Sequence, residues 1–318
     1  MSLTQNELTW FGDTFESVTA NMERAIQGKR HTIDLVVSSL VAEGHVLVED
    51  VPGVGKTMMA KALARSIDCS FQRIQFTPDL LPTDVTGVSV WDRELGEFRF
   101  RPGPAFANVV LGDEINRASP KTQSALLEAM EERQITVDGE THILSEPFIV
   151  IATQNPIEHE GTYPLPEAQL DRFMMRVTMG YPDRTKELEM LQTHGERSSL
   201  DDLKPVIHAE DAVRMVTISR RVHVAEVLQG YLIDLAEATR SHPDIALGAS
   251  PRATLFLQRA ARAIAAADGR DFTSPDDVKT VIRPVLNHRL FVRPGAPLRG
   301  LTGDDFRDDV LSSVPVPG

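Results

Sequence analysis

The sequence contains one cysteine, Cys69, in 318 residues. A single cysteine excludes an internal disulfide framework, and we expect a reducing, cytoplasmic setting. The first residues, MSLTQNELTWFGD, lack the basic start and apolar centre of a signal peptide. No apolar run approaches the roughly 20 residues needed to cross a bilayer, so we expect no membrane span.

Basic residues are also in short supply. The chain has 33 Lys and Arg against 46 Asp and Glu, which gives a formal net charge of −13. Binding nucleic acid over a broad surface requires a basic face, so nucleic acid is a disfavoured partner, although a local basic loop stays compatible with this balance. Otherwise, 42% hydrophobic and 25% charged residues are ordinary for a soluble globular protein.

Short apolar runs alternate with helical patterns in the first half of the chain. The predicted strands are 45–49, 71–76, 107–111 and 147–152, and the predicted helices are 8–26, 32–43, 58–67 and 121–133. This alternation is typical of an α/β fold whose parallel sheet is buried between helices. Beyond Tyr181-Pro182, helical blocks follow at 184–194, 210–222, 224–242, 251–267 and 275–290. We therefore predict an α/β domain over 1–180 and a smaller all-α domain over 181–318.

The stretch VLVEDVPGVGKTMMAKALAR, residues 46–65, reads as a strand, a glycine-bearing loop and a helix. In a P-loop, consecutive backbone N–H groups at a helix N-terminus surround a phosphate. Lys56 is expected to reach the β- and γ-phosphates, and Thr57 to offer its hydroxyl to Mg²⁺. The candidate binding residues are Asp50, Val51, Pro52, Gly53, Val54, Gly55, Lys56, Thr57 and Met58.

Asp50 departs from the P-loop pattern G-x-x-x-x-G-K-[ST], which has glycine at that position. The residue lies at the strand exit and not against the phosphates. Aspartate also tolerates left-handed or bridge conformations better than most residues do. We therefore still predict that this loop binds phosphate, although aspartate replaces the first glycine of the pattern.

Two carboxylates end the next apolar strand, in the segment ANVVLGDE. Asp113 can hold the metal shell that bridges the β- and γ-oxygens, and Glu114 can orient and deprotonate the attacking water. Asp-Glu is a common solvated strand end, but its place downstream of a P-loop favours catalysis. The pair predicts that the chain hydrolyses nucleotide as well as binding it.

Two further residues have both a functional and an ordinary interpretation. Asn155 ends a strand and can hydrogen-bond the water or the γ-phosphate, or it simply begins an Asn-Pro turn. Arg172 ends a short helix, where arginines are usually solvated. It would neutralise a γ-phosphate if a neighbouring subunit presented one.

With these residues identified, the chain resembles the MoxR ATPases of the AAA+ superfamily. The matching segments are LVEDVPGVGKTMMAKALA, RIQFTPDLLPTDVTG, LGDEINRASPKTQSALLEAMEERQITVDG, IATQNPIEHEGTYPLPEAQLDRFMMRV and SPRATLFLQRAARA. They run from about residue 30 to 290, or nearly the whole chain. The resemblance implies a P-loop NTPase AAA+ core followed by a helical lid. That family also tolerates residues other than glycine at the position of Asp50.

The resemblance assigns roles by position. Lys56 and Thr57 match Walker A, and Asp113 and Glu114 match Walker B. Asn155 matches sensor 1, and Arg172 matches the arginine finger that a neighbouring subunit supplies. Arg252, in Ser250-Pro251-Arg252, matches sensor 2 unless it is only a helix-start arginine. Gly28 lies where the superfamily packs the adenine base. These roles imply ATP and Mg²⁺ between the two domains of one subunit, in a homo-oligomeric ring that is usually a hexamer.

The function implied is a chaperone-like remodeller that matures or activates protein complexes, commonly with a von Willebrand factor A domain partner. A nucleic-acid motor or a metal-chelatase motor subunit is the alternative within AAA+. A nucleotide-gated scaffold that hardly turns over is a third possibility, which Glu114 disfavours. Two predicted hairpins, at 88–100 turning at Gly96 and at 133–144 turning at Asp138-Gly139, either touch substrate or are ordinary surface hairpins.

Overall fold

The structure, a computed structural model, describes residues 3–155, 161–181, 184–185, 187–188, 200, 202–293 and 309–317. The strands are β1 (Val46–Glu49), β2 (Phe71–Gln75), β3 (Gly87–Asp92), β4 (Glu97–Pro102), β5 (Val109–Asp113), β6 (Gln134–Val137), β7 (Glu140–Ile143), β8 (Ile149–Gln154), β9 (Met175–Val177), β10 (Ile245–Leu247) and β11 (Phe291–Val292). The helices are α1 (Gln5–Ala25), α2 (Arg30–Val41), α3 (Lys56–Ser66), α4 (Pro82–Thr86), α5 (Pro120–Glu132), α6 (Glu167–Leu170), α7 (Ala209–Arg221), α8 (Glu226–Ser241), α9 (Pro251–Ala267) and α10 (Pro275–Leu286). Most of the predicted helix at 184–194 lies outside the described residues.

Five parallel strands form the central sheet in the order β2-β5-β8-β1-β9. Val48 of β1 pairs with Thr153 of β8 on one side and with Val177 of β9 on the other. The four predicted strands are confirmed. The fifth strand, β9, was not predicted, because three residues are too few to show a periodicity.

Hydrophobic side chains pack on both faces of this sheet. Successive residues of a strand point to opposite faces, and accordingly Val46 and Val48 belong to one buried cluster while Leu47 belongs to the other. The first cluster includes residues of α1, α2 and α3 and continues into the helices after residue 200. The second includes residues of α5 and of the segments flanking it. The parallel sheet between helices is therefore confirmed.

Helices α7 to α10 form the lid that was predicted for the second half of the chain. Helix α9 begins after Ser250, whose hydroxyl accepts a hydrogen bond from the Ala253 amide. Helix α10 begins after Ser274 with a capping box to Asp277. The structure adds an antiparallel ribbon of β10 and β11, which was not expected because the strands have only three and two residues.

Both predicted hairpins are present. Strands β3 and β4 form the first, and Gly96 in its turn has a φ of +68°. Strands β6 and β7 form the second, in which Asp138 and Gly139 have φ values of +51° and +87°, as an Asp-Gly type I′ turn requires. The rings of Phe100 and His142 stack at 4.1 Å between centroids, so the two hairpins contact each other.

Candidate functional site

The predicted P-loop connects β1 to α3 at the carboxyl edge of the sheet. Gly53 and Gly55 have φ values of +86° and +96°, and this left-handed conformation favours glycine. A Cβ at Gly53 would meet no atom within 4 Å, so the requirement there is conformational and not spatial. Helix α3 begins at Lys56 with no side-chain cap. Its first amides are therefore oriented for an anion.

Asp50 serves the loop in a way that the sequence did not suggest. Its Oδ2 atom accepts hydrogen bonds from the amides of Met179 at 2.7 Å and Gly180 at 2.6 Å, and its Oδ1 atom accepts one from Val51 at 2.8 Å. Asp50 is not among the residues with positive φ. The left-handed conformation that we invoked is therefore not the reason for aspartate here, whereas its carboxylate gives the side chain a role at this position.

Asp113 and Glu114 lie at the same edge of the sheet, at the end of β5. Thr153 donates its hydroxyl to Asp113 Oδ1 at 2.6 Å, and Arg73 Nη2 donates to Asp113 Oδ2 at 2.5 Å. Glu114 has a φ of +59°, and its Oε2 atom accepts from Gln75 at 2.9 Å and from Arg117 at 3.0 Å. Both carboxylates are thus oriented by neighbouring side chains that the sequence analysis missed.

The order of the strands brings these groups together. Strand β8, which Asn155 follows, lies between β5 and β1, and so between the two carboxylates and the P-loop. Asn155 is buried, with 7% of its surface exposed. In parallel sheets, ligands bind outside the carboxyl ends of the strands, where adjacent strands are about 5 Å apart. Asn155 therefore lies between the predicted phosphate loop and the predicted catalytic carboxylates.

The site offers few protein ligands for Mg²⁺, which is sufficient when the nucleotide supplies the others. Among the residues that the structure describes, no group of three or more His, Cys, Asp and Glu side chains could hold a metal. Protein-bound Mg²⁺ often takes only one or two carboxylates and completes its shell with phosphate oxygens and water. Asp113 and the hydroxyl of Thr57 supply hard oxygen donors of that kind, so the residues present fit a cation that arrives with nucleotide.

Arg172 and Arg252 lie together on one carboxylate. Arg172 Nε is 2.9 Å from Glu131 Oε2 at the end of α5, and Arg252 Nη2 pairs with the other oxygen, Oε1. Arg252 Nη1 also lies 3.9 Å from Asp171 Oδ2. The core arginine and the lid arginine therefore line the same cleft, together with hydrophobic side chains of α9 such as Phe256. The sequence analysis did not identify Glu131, because this residue lies more than 40 positions before Arg172 and more than 120 positions before Arg252.

A buried arginine fixes the backbone around Arg172. Arg289, 3% exposed, donates from Nε to Asp171 Oδ1 at 2.7 Å and from Nη2 to the carbonyls of Asp171 at 2.8 Å and Phe173 at 2.5 Å. Burial lowers the pKa of Arg289 to about 10, although Asp171 opposes that effect, so the guanidinium stays charged at neutral pH. His288 and Ser250 also hydrogen-bond to residues 171–173. Side chains of the lid therefore hold the segment that contains Arg172 through hydrogen bonds.

Gly28 lies in the turn between α1 and α2, exposed and with a φ of +72°. The residues after it contact the end of the core: Lys29 Nζ donates to the Tyr181 carbonyl at 2.9 Å, and Thr32 donates to the Thr178 carbonyl at 3.1 Å. The amides of Met179 and Gly180 in that same segment bind Asp50. The turn that contains Gly28 and the P-loop therefore share residues 178–181 as a neighbour.

No helix among the described residues is long and apolar enough to cross a membrane. Residues 45–175 match the family described as "ATPase family associated with various cellular activities (AAA)", and residues 237–310 match the AAA lid domain. The chain is 49% identical to the uncharacterized protein YeaC of Bacillus subtilis, over 93% of each chain. It is 40% identical to the chaperone MoxR1 of Mycobacterium tuberculosis, over 96% of this chain and 82% of that one.

A solved structure agrees with these matches over the whole fold. The crystal structure of a proposed ATPase from Cytophaga hutchinsonii superposes with a TM-score of 0.91 and 36% identity, over 98% of each chain. The sheet order, the helical lid and the sequence relatives lead to one conclusion. The chain belongs to the MoxR family of AAA ATPases.

Proposed function

We propose that the chain hydrolyses ATP to ADP and phosphate at its P-loop in a Mg²⁺-dependent reaction. Lys56 would contact the β- and γ-phosphates, while Thr57 and Asp113 would hold the cation, which neutralises phosphate charge when it is bound. Glu114 would accept the proton of the attacking water. Asn155, at the end of the strand between them, would hydrogen-bond that water or the γ-phosphate.

The pairing of Arg172 and Arg252 on Glu131 carries the rest of the proposal. Two guanidinium groups that share one carboxylate leave a net positive charge, which suits the transition-state charge of a γ-phosphoryl group. Because both line one cleft, we infer that both approach the same nucleotide, which a neighbouring subunit binds. The alternative is the expectation from the resemblance, in which Arg252 reaches nucleotide held between the domains of its own subunit.

An arginine supplied by a neighbour makes hydrolysis depend on assembly. Arginine fingers accelerate NTPases by about 10³–10⁵-fold, so an isolated subunit would turn over slowly. We propose a homo-oligomeric ring, most simply a hexamer, in which each subunit offers Arg172 and Arg252 to the next. The boundary between the core and the lid stays at about residue 180 in this proposal.

Complementation between two inactive variants tests this arrangement. Glu114→Gln removes the general base but keeps both arginines, whereas Arg172→Ala keeps the base but removes the finger. Each variant alone should be inactive, and an equimolar mixture should regain part of the ATPase activity, since Glu114→Gln subunits can supply Arg172 to their neighbours. A mixture as inactive as its components would contradict an arginine acting between subunits.

We further propose that the ATPase cycle remodels a protein partner, one with a von Willebrand factor A domain. The first hairpin exposes apolar surface, since 50% of Trp91 and 71% of Phe98 are accessible. The contact of Phe100 with His142 would let both hairpins move together against a client. A nucleic-acid motor or a chelatase motor is the second candidate. The net charge of −13 disfavours binding to nucleic acid.

A pull-down with Glu114→Gln loaded with ATP, against wild type in ADP, distinguishes these candidates. Retention of a von Willebrand factor A domain protein only in the ATP state supports the remodeller. Salt-sensitive retention of nucleic acid, or retention of chelatase-type subunits, supports the second candidate. The complementation experiment is independent of this result, because it tests only the ATPase arrangement.

A further inference from the structure

The carboxylate of Asp50 joins the P-loop to the end of the core domain. One oxygen accepts two backbone amides, those of Met179 and Gly180, at 2.7 and 2.6 Å. The other oxygen accepts the amide of Val51 at 2.8 Å. Hydrogen bonds to an ionised acceptor are shorter and stronger than neutral ones. Glycine, the residue of the ordinary P-loop pattern, could make none of these three bonds.

Residues 178–181 are held from two sides. On one side are Asp50 and Gly55 of the P-loop. Gly55 lies close to the Met179 side chain, since a Cβ added to this glycine would be 3.6 Å from the terminal methyl of Met179. On the other side, Thr32 and Lys29 donate to the carbonyls of Thr178 and Tyr181. Gly180 has a φ of +61°, so the chain turns there with a conformation that favours glycine. The proposed boundary between the core and the lid, at about residue 180, falls within this segment.

The backbone of Asp50 is also hydrogen-bonded to the P-loop lysine. Lys56 Nζ donates to the Asp50 carbonyl at 2.5 Å. A phosphate in the loop would attract this ammonium group and weaken that bond, since phosphate is the stronger acceptor. Occupancy of the loop would therefore change the bonding of the same residue whose side chain holds the amides of Met179 and Gly180.

We propose that Asp50 is a positioning residue that couples occupancy of the P-loop to the placement of residues 178–181, where the chain leaves the core for the lid. This inference rests on the proposed function, since it concerns the ATP site. Asp50, which stands where the ordinary P-loop has glycine, would thus have a function that glycine cannot perform. The coupling would run from the Lys56 ammonium group through Asp50 to the backbone amides of Met179 and Gly180.

Three variants test the proposal. Asp50→Gly restores the ordinary P-loop pattern and removes the carboxylate. Asp50→Asn keeps one acceptor oxygen, which cannot serve both Val51 and the amides of residues 179–180. The matched control is Glu49→Gln. The Glu49 carboxylate joins β1 to β9 through Arg176, at 2.8 Å, but accepts no hydrogen bond from the amides of residues 178–181.

The measurements are amide hydrogen exchange at Met179 and Gly180 with and without ADP, the Kd for ADP, and kcat and KM for ATP. In wild type and Glu49→Gln, ADP should change the exchange of both amides. In Asp50→Gly, exchange should be faster by about tenfold or more, the factor for one lost charged hydrogen bond, and should no longer respond to ADP. Its Kd for ADP should stay within a few-fold of wild type while kcat falls more than KM changes.

Asp50→Asn should give an intermediate exchange rate, and it provides the test if the glycine variant does not fold. The proposal is overturned if both Asp50 variants keep wild-type protection and the wild-type response to ADP. If wild type binds ADP without hydrolysing ATP, the proposed function fails, whereas the exchange data still decide the role of Asp50. If wild type binds no nucleotide, both fail.

Discussion

The burial of His45 predicts a specific loss of stability in mild acid. His45 precedes β1 and is 4% exposed. Its Nε2 atom lies 3.0 Å from the Met130 carbonyl, and its Nδ1 atom accepts the Val150 amide at 2.9 Å, so the ring is neutral with its proton on Nε2. Burial, assisted by the charge of Arg133, lowers the pKa of His45 from 6.5 to about 4 and outweighs the hydrogen bond to Met130.

The sign and size of the effect follow from this lowered pKa. Below pH 6.5 the unfolded chain binds a proton at His45, while the folded chain does not until the pH approaches 4. The contribution to stability is therefore complete above pH 6.5 and is lost as the pH falls toward 4. At about 1.4 kcal/mol per pH unit, the loss is about 2 kcal/mol at pH 5 and roughly 3 kcal/mol at pH 4.

The assay is urea unfolding of wild type and His45→Gln at several pH values between about 7 and 5. Carboxylates titrate in both proteins alike, so the difference in the free energy of unfolding isolates the histidine. The variant loses stability at neutral pH, but its disadvantage should shrink by about 2 kcal/mol on going to pH 5. A difference that stays constant over this range would refute the reasoning.

Three further predictions concern the site and the hairpins. Arg172→Ala should keep nucleotide binding and lose hydrolysis by about 10³-fold or more, measured by calorimetry and ATPase rate; a parallel loss of affinity would contradict this role. Glu131→Gln should lower kcat by about tenfold or more, because two arginines lose their shared partner, whereas Glu128→Gln on the exposed face of α5 should not. Trp91→Ser should leave basal ATPase activity unchanged and weaken client retention in the pull-down; equal retention would contradict client contact there.

Local sequence determined the framework of this protein. Gly53, Gly55 and Lys56 form a recognisable loop because phosphate binding needs left-handed backbone and a helix N-terminus within a few residues. Asp138-Gly139 predicted its hairpin for the same reason, since a type I′ turn is a property of two adjacent residues. The four predicted strands were visible as short segments rich in apolar residues, whereas β9, β10 and β11 were too short to show a pattern.

Tertiary structure decided which side chains act together. Two partners of the Asp50 carboxylate, Met179 and Gly180, lie about 130 residues away, and Arg289 reaches back 118 residues to Asp171. No periodicity or spacing records such contacts. Likewise, the sequence marked Arg172 and Arg252 separately, but only the fold places both on Glu131. Conformation is encoded locally because it depends on neighbouring dihedral angles, whereas charge pairing depends on distance in space, which packing alone sets.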